Sequence, residues 1–273
     1  MMITTKKLLF SGDLSYLPSP PIFFMKRFLD IKFSFFVVML ITTSCQQYFR
    51  PQSVKYGGYS VEQIATDTVI SNFLKPYSTK VGETMNDVVA ELPVTLKKEL
   101  PNNTLGNFMA DSYLLMARKK FDESADVAFI NNGGIRLNSI QSGPLKRGMI
   151  YEIMPFDNML VILKISGTQL KHYLDFIASE GGCGIAGVQM QIRDKKATDI
   201  LINGKPLDAN EIYTMVNSDY AVSSGGGYTQ FRDLPVQKTG YLLRDATLDY
   251  CALFRLQGKP IEISVEKRIS NGN

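Results

Sequence analysis

Apolar residues recur at helical spacing over residues 61–77, through Ile64, Val69, Ile70, Phe73 and Leu74, which predicts a helix stopping at Pro76. An extended stretch follows near 87–95. Asn103 or Thr104 is placed to cap a second helix, with Leu105, Phe108, Met109, Leu115 and Met116 mostly at helical spacings. Asn107 and Asp111, four residues apart, share a face of it. A buried strand over 126–131 runs into the turn Asn132-Gly133-Gly134-Ile135-Arg136, and a strand over 159–166 precedes a helix over 167–180. Sheet-like segments then dominate: 188–193, 200–202 with the hairpin signal Asn203-Gly204, and 211–222. A glycine loop over 223–228, a helix near 241–256 and a strand over 261–266 close the chain. Strands and helices intermix without a regular βαβ rhythm, which predicts a layered α+β domain rather than a doubly wound one.

The pattern before residue 61 is of another kind. From Met25 the chain reads MKRFLDIK, then the apolar run FSFFVVMLITT, then Ser44-Cys45. A basic start, a short apolar run and small residues describe a secretory signal peptide, and the run is short for a membrane span. Small residues ending at Cys45 resemble the lipobox of bacterial lipoproteins, so Cys45 is the expected lipidation site; an ordinary signal peptide or uncleaved anchor with Cys45 incidental is the alternative. Gln46 after it resembles lipoproteins sorted to the outer membrane. The expected organisation is 1–45 as leader with Met25 as a candidate start, 46–60 as linker and 61–273 as domain. The formal charge of +4 changes meaning with this division, because the first 45 residues carry +3 of it. A nearly neutral body lacks the electrostatic footprint of a nucleic-acid binder. Export permits a Cys183–Cys251 disulfide, and two separate buried thiols fit equally well.

His172 is the only histidine in 273 residues, so the chain cannot supply the imidazoles that hydrolases with paired divalent metals usually gather. Gly182-Cys183-Gly184-Ile185-Ala186-Gly187 matches G-x-G-x-x-G, but the helix precedes it and the strand follows, the reverse of a dinucleotide site. It reads as a flexible helix-to-strand loop. Ser223 and Ser224 lack a nucleophile elbow, and His172 reads as a surface helix residue. Three other segments place a functional side chain beside glycine or proline: Asn131 to Arg136, Pro155-Phe156-Asp157-Asn158, and Asp219-Tyr220 before Gly225-Gly226-Gly227-Tyr228. Two aromatics on separate loops can sandwich a planar ring, Arg offers a fork to phosphate, and Asn offers paired donors and acceptors. The same residues could equally be core aromatics, a surface ion pair and turn glycines.

In order, Leu105-Gly106-Asn107 with Ala110-Asp111, Asn131 to Arg136, Pro155 to Asn158, Ser166-Gly167-Thr168-Gln169-Leu170 and Gly225 to Tyr228 resemble the C-terminal domain of 5′-nucleotidases, over about residues 67–266. The resemblance implies a four-layer α/β/β/α domain that binds the nucleoside part of a nucleotide. By position, Phe156 and Tyr220 would stack on the base, Asn131 would bond base or sugar, Arg136 would face the phosphate and Asn158 would make a further contact. Asn107 and Asp111 would shape the pocket floor, or else cap and pack their helix, and Gly133, Gly134, Gly225, Gly226 and Gly227 would shape the pocket.

This chain departs from the family in having Gly226 where an Asp usually grips the ribose hydroxyls, a loss worth about 1.5–3 kcal/mol. The Arg that often precedes Leu-Gly-Asn has no clear counterpart, and the His- and Asp-rich metallophosphoesterase domain does not fit between Cys45 and Val61. No catalytic residue, cofactor or metal site is therefore expected here. The first expectation is the substrate-specificity half of a split phosphoesterase, with divalent metals in a separate metallophosphoesterase subunit; the second is an envelope lipoprotein binding nucleosides or nucleotides; the third is a degenerate scaffold.

Overall fold

The computed structural model describes residues 67–223 and 225–272, and the expectations for the leader, Cys45 and the linker lie outside them. Helix α1 (Thr68–Asn86) is capped by Asp67, whose carboxylate accepts the amides of Val69 and Ile70. It continues through Pro76 rather than stopping there. No residue of α1 is buried, so the carbonyl that Pro76 leaves without a donor is open to water. After it come β1 (Val88–Leu92), β2 (Leu96–Lys97), α2 (Thr104–Lys120), β3 (Val127–Ile130), a 3₁₀ turn (Asn132–Gly134), β4 (Ser139–Ile140) and β5 (Gly143–Lys146). The middle of the chain forms α3 (Arg147–Ile153), β6 (Met159–Ser166), α4 (Gly167–Ser179), β7 (Gly184–Ala186), β8 (Val188–Arg193), β9 (Lys196–Ile202) and β10 (Lys205–Pro206). The last elements are β11 (Ile212–Ser218), α5 (Asp219–Val222), β12 (Gln237–Leu242), α6 (Leu243–Leu256) and β13 (Ile269–Asn271).

A five-stranded sheet in the order β12-β6-β11-β3-β7 organises the domain. Its strands pair antiparallel except β11 with β3. Side chains alternate between its faces, as the two-residue period of a strand requires. Leu160 and Ile162 of β6, Ala128 and Ile130 of β3 and Val216 of β11 join one core with α2, α3 and α6. Val161, Leu163 and Ile165, Val127 and Phe129, and Met215 join a second core with α4 and a four-stranded sheet ordered β10-β9-β8-β13. The helices, the five-stranded sheet, α4 and the four-stranded sheet make a mixed, layered α+β domain, with α4 packed against both sheets.

Two motifs of the resemblance are explained by packing. Ser166 and Gln169 form a reciprocal capping box at the start of α4, while a Cβ on Gly167 would sit 1.8 Å from the carbonyl oxygen of Asp208. A Cβ on Gly106 would lie 2.7 Å from Gly184 Cα, so α2 rests directly on β7 through a pair of glycines. Gly184 belongs to the G-x-G-x-x-G stretch, which is thus no flexible loop throughout: residues 184–186 are a sheet strand paired with β3. The chain's end also differs from expectation. Residues 261–266 form no strand, since of Ile261, Ile263 and Val265 only Ile261 is buried; β13 instead runs parallel to β8 from Ile269.

Candidate functional site

The turn after β3 is fastened from behind. Asn103, fully buried, caps α2 by accepting the Gly106 amide at 2.7 Å and donates through Nδ2 to Asn132 Oδ1 at 3.0 Å. Asn132 in turn donates to the Gly182 carbonyl at 2.8 Å. Arg136 donates its backbone amide to the Ile153 carbonyl at 2.8 Å, which ties the turn's exit to the end of α3.

The Pro155–Asn158 segment is clamped by α6. Arg244 donates to the Phe156 carbonyl and to Asp157, at 3.3 and 2.8 Å, while its guanidinium lies 4.4 Å from the centre of the Tyr151 ring. The Leu243 amide donates to the Asn158 carbonyl at 3.0 Å. Phe156 packs partly against the first core, and the Arg136 guanidinium lies over its ring, 4.9 Å from the centroid.

Tyr220 does not end a strand as expected. Ser218 stops β11 by accepting the Ala221 amide at 3.0 Å, and the chain turns into the one-turn helix α5 with Tyr220 in it. Asp219 joins this turn to β6, accepting the amides of both Met159 and Tyr220. The Tyr220 ring lies against Gly225, where a Cβ would come within 2.3 Å of it. Tyr228, at the end of the glycine loop, is buried in an aromatic cluster with Tyr173, Phe176 and Phe231.

These three segments enclose a cavity of about 300 Å³ lined by Asn131, Arg136, Phe156, Asn158 and Tyr220, with Gly133 and Gly134 at the turn. All five expected ligand-contacting side chains thus meet in one place. Gly225 and Gly226 line a neighbouring cavity on the other part of Tyr220, whereas Gly227 lines neither. The expectation that Asn107 and Asp111 form the pocket floor is corrected, because neither lines either space. Asn107 accepts the Ile185 amide at 3.0 Å and so holds β7 to α2. Asp111 takes a bidentate pair of hydrogen bonds from Arg268, both 2.8 Å, and Arg268 also donates to the Ile185 carbonyl. Burial outweighs the nearby guanidinium and holds the Asp111 carboxyl above the usual carboxylate range.

Sequence reasoning placed Asn103 as a helix cap but not its bond to Asn132, and it missed the tie from Asp219 to β6 and the clamp from Arg244. Asp219 had a readable signal as a residue beside a helix start; Arg244 acts across 88 residues and had none. Cys183 and Cys251 are free and buried, and burial pushes the Cys251 thiol up to about 12. Among the described residues no three His, Cys, Asp or Glu side chains gather in a group able to hold a metal ion. No described helix is long and apolar enough to cross a membrane.

The family model for the 5′-nucleotidase C-terminal domain matches residues 80–233. A 5′-nucleotidase of Vibrio vulnificus is 27% identical over 220 residues, covering 77% of this chain and 38% of that protein. Endonuclease YhcR of Bacillus subtilis is 31% identical over 76% of the chain and 17% of its own length. The crystal structure of a 5′-nucleotidase precursor from Thermus thermophilus superposes with a TM-score of 0.63 at 25% identity, over 75% of this chain and 43% of that one. The chain spans less than half the length of each of these relatives. By sequence and by fold alike, it belongs to the 5′-nucleotidase C-terminal domain family.

Proposed function

We propose that this chain is the nucleotide-binding, specificity-setting half of a 5′-nucleotidase-type phosphoesterase, with the metal centre supplied by a separate metallophosphoesterase subunit. The observation that carries the reading is the meeting of Phe156, Tyr220, Asn131, Asn158 and Arg136 around one cavity of about 300 Å³, at the lower end of small-ligand pockets. A base stacks on the aromatic rings, each ring contributing about 1–3 kcal/mol, while the asparagine amides bond base or sugar. Arg136 rests on Phe156 and has no acidic partner among the described residues, so its fork is free to turn to a phosphate. Support for metals arriving from elsewhere is the single histidine of the chain and the lack of a clustered ligand set among the described residues. The reaction itself then belongs to the partner, and this chain binds and orients.

The same reading takes the protein to be exported and anchored in the cell envelope through a lipidated Cys45, supported by the basic-apolar-small pattern of residues 25–45. The decisive experiment is a reconstitution. The chain alone should release little phosphate from AMP or a UDP-sugar, and addition of a co-exported metallophosphoesterase should raise the rate well above that of the partner by itself. Additive rates with every such partner would refute the split-enzyme reading, and nucleotide affinity measured without a partner would then favour a binding lipoprotein.

A further inference from the structure

Past the Tyr220 ring, the ligand cavity gives onto a second space of about 270 Å³ that shares Asn131, Gly133 and Tyr220 with it. The rings of Tyr173, Phe176 and Tyr228 face this space, together with Gly226 and the carboxylate-bearing Glu180. Charge is divided between the two compartments. Arg136 is the cationic side chain of the first, and Glu180 is the one carboxylate residue lining either.

Glu180 is placed against local preference. It is the C-cap of α4, where the negative end of the helix dipole disfavours a carboxylate. Within the described residues its side chain has no hydrogen bond and no ion pair to offset this. Glu180 is exposed, and a residue placed against local preference marks a candidate functional position. Gly226 lines the same space, and a Cβ there would meet nothing nearer than Ala221 at 3.8 Å.

We propose that Glu180 receives the vicinal hydroxyls of the ligand's sugar, providing from the end of α4 the acceptor that the glycine loop lacks. This rests on the nucleotide-binding reading. A carboxylate has about four lone-pair sites and can accept from two adjacent hydroxyls at once, and such charge-assisted bonds are about twice as strong as neutral ones. With the base held between Phe156 and Tyr220, the sugar extends past Tyr220 into the second compartment, between aromatic walls that offer no competing carboxylate.

Calorimetry on the exported chain, with adenosine and 2′,3′-dideoxyadenosine as probes, tests the role. The wild type should bind adenosine about ten- to a hundredfold tighter than the dideoxynucleoside. Glu180→Ala, at an exposed position, should lower adenosine affinity to the dideoxynucleoside level and leave the dideoxynucleoside unchanged. Adenosine binding that is weakened by Phe156→Ala but not by Glu180→Ala overturns the Glu180 role alone. Binding of neither nucleoside by the wild type overturns the nucleotide reading and the Glu180 role with it.

Discussion

The two walls of the ligand cavity are built differently. Behind Arg136 and Phe156 stand buried or half-buried groups from distant parts of the chain: the Asn103–Asn132–Gly182 series, the Ile153 carbonyl and the Arg244 clamp. Tyr220, on the other wall, is 48% exposed. The bonds that shape its turn are mostly local, from Ala221 to Ser218 and from Gly225 to the Tyr220 carbonyl, with Asp219 reaching β6. The first wall is ordered by the folding of the whole domain. The second contributes contact area with little stake in stability, so it can adjust to a ligand. Stability and affinity should therefore respond to different residues.

The largest effect is expected where α2 meets β7. Asp111→Ala leaves the Arg268 guanidinium, only 12% exposed, without its bidentate partner and still bonded to the Ile185 carbonyl in β7. Breaking a fully buried pair this way costs about 3–5 kcal/mol, and the partial exposure of Asp111 puts this one near the lower end. A drop of that size should appear in the urea midpoint with an unchanged slope. A drop below about 0.5 kcal/mol would mean that the Arg268 contact does not organise this side of the sheet.

Next come the two stacking rings, which should separate the walls directly. Tyr220→Ala should weaken nucleoside binding by about 1–3 kcal/mol while leaving stability within about 0.5 kcal/mol, as for other exposed positions. Phe156→Ala should weaken binding by a similar amount and also lower stability by about 2 kcal/mol, because the ring packs against the first core. Equal stability losses in both variants would erase the distinction between the walls.

The same contrast governs how far the sequence could be read. Features set by neighbours in the chain were legible: the cap at Asn103, the strand over 159–166 and the helix that follows it. Residues 211–222 were legible only in part, since a serine cap converts the last turn of an apparent strand into α5 and thereby re-aims Tyr220. What depends on distant partners was hidden. Gly167 is required by the carbonyl of Asp208, Gly106 by Gly184, and the Pro155–Asn158 segment by Arg244. Asn107 and Asp111 share a helix face, as read, but that face meets β7 and Arg268 rather than a ligand. The site residues could be named because their loops carry glycine and proline; of the groups that hold those loops, Arg244 lies in an ordinary helix and carries no local mark.

The smallest effect concerns α4, which carries Tyr173, Phe176 and Glu180 to the second compartment. Asp175 fastens this helix to β9, accepting from the Ala197 amide at 2.9 Å and from Lys171 at 2.7 Å. Burial opposes its ionisation, but the bonds from Lys171 and Ala197 and the charge of Lys196 outweigh it and hold the carboxyl below the usual range. A carboxyl with a lowered folded-state value contributes stability that is complete above its unfolded value and is lost as pH falls through the folded one. Asp175→Asn should therefore cost about 1 kcal/mol at neutral pH, and its stability curve should merge with the wild-type curve below the ordinary aspartate range. Urea midpoints measured across the acid limb would show this convergence. A constant offset at every pH would assign the loss to packing of the amide, and α4 would then be held by its apolar face rather than by Asp175.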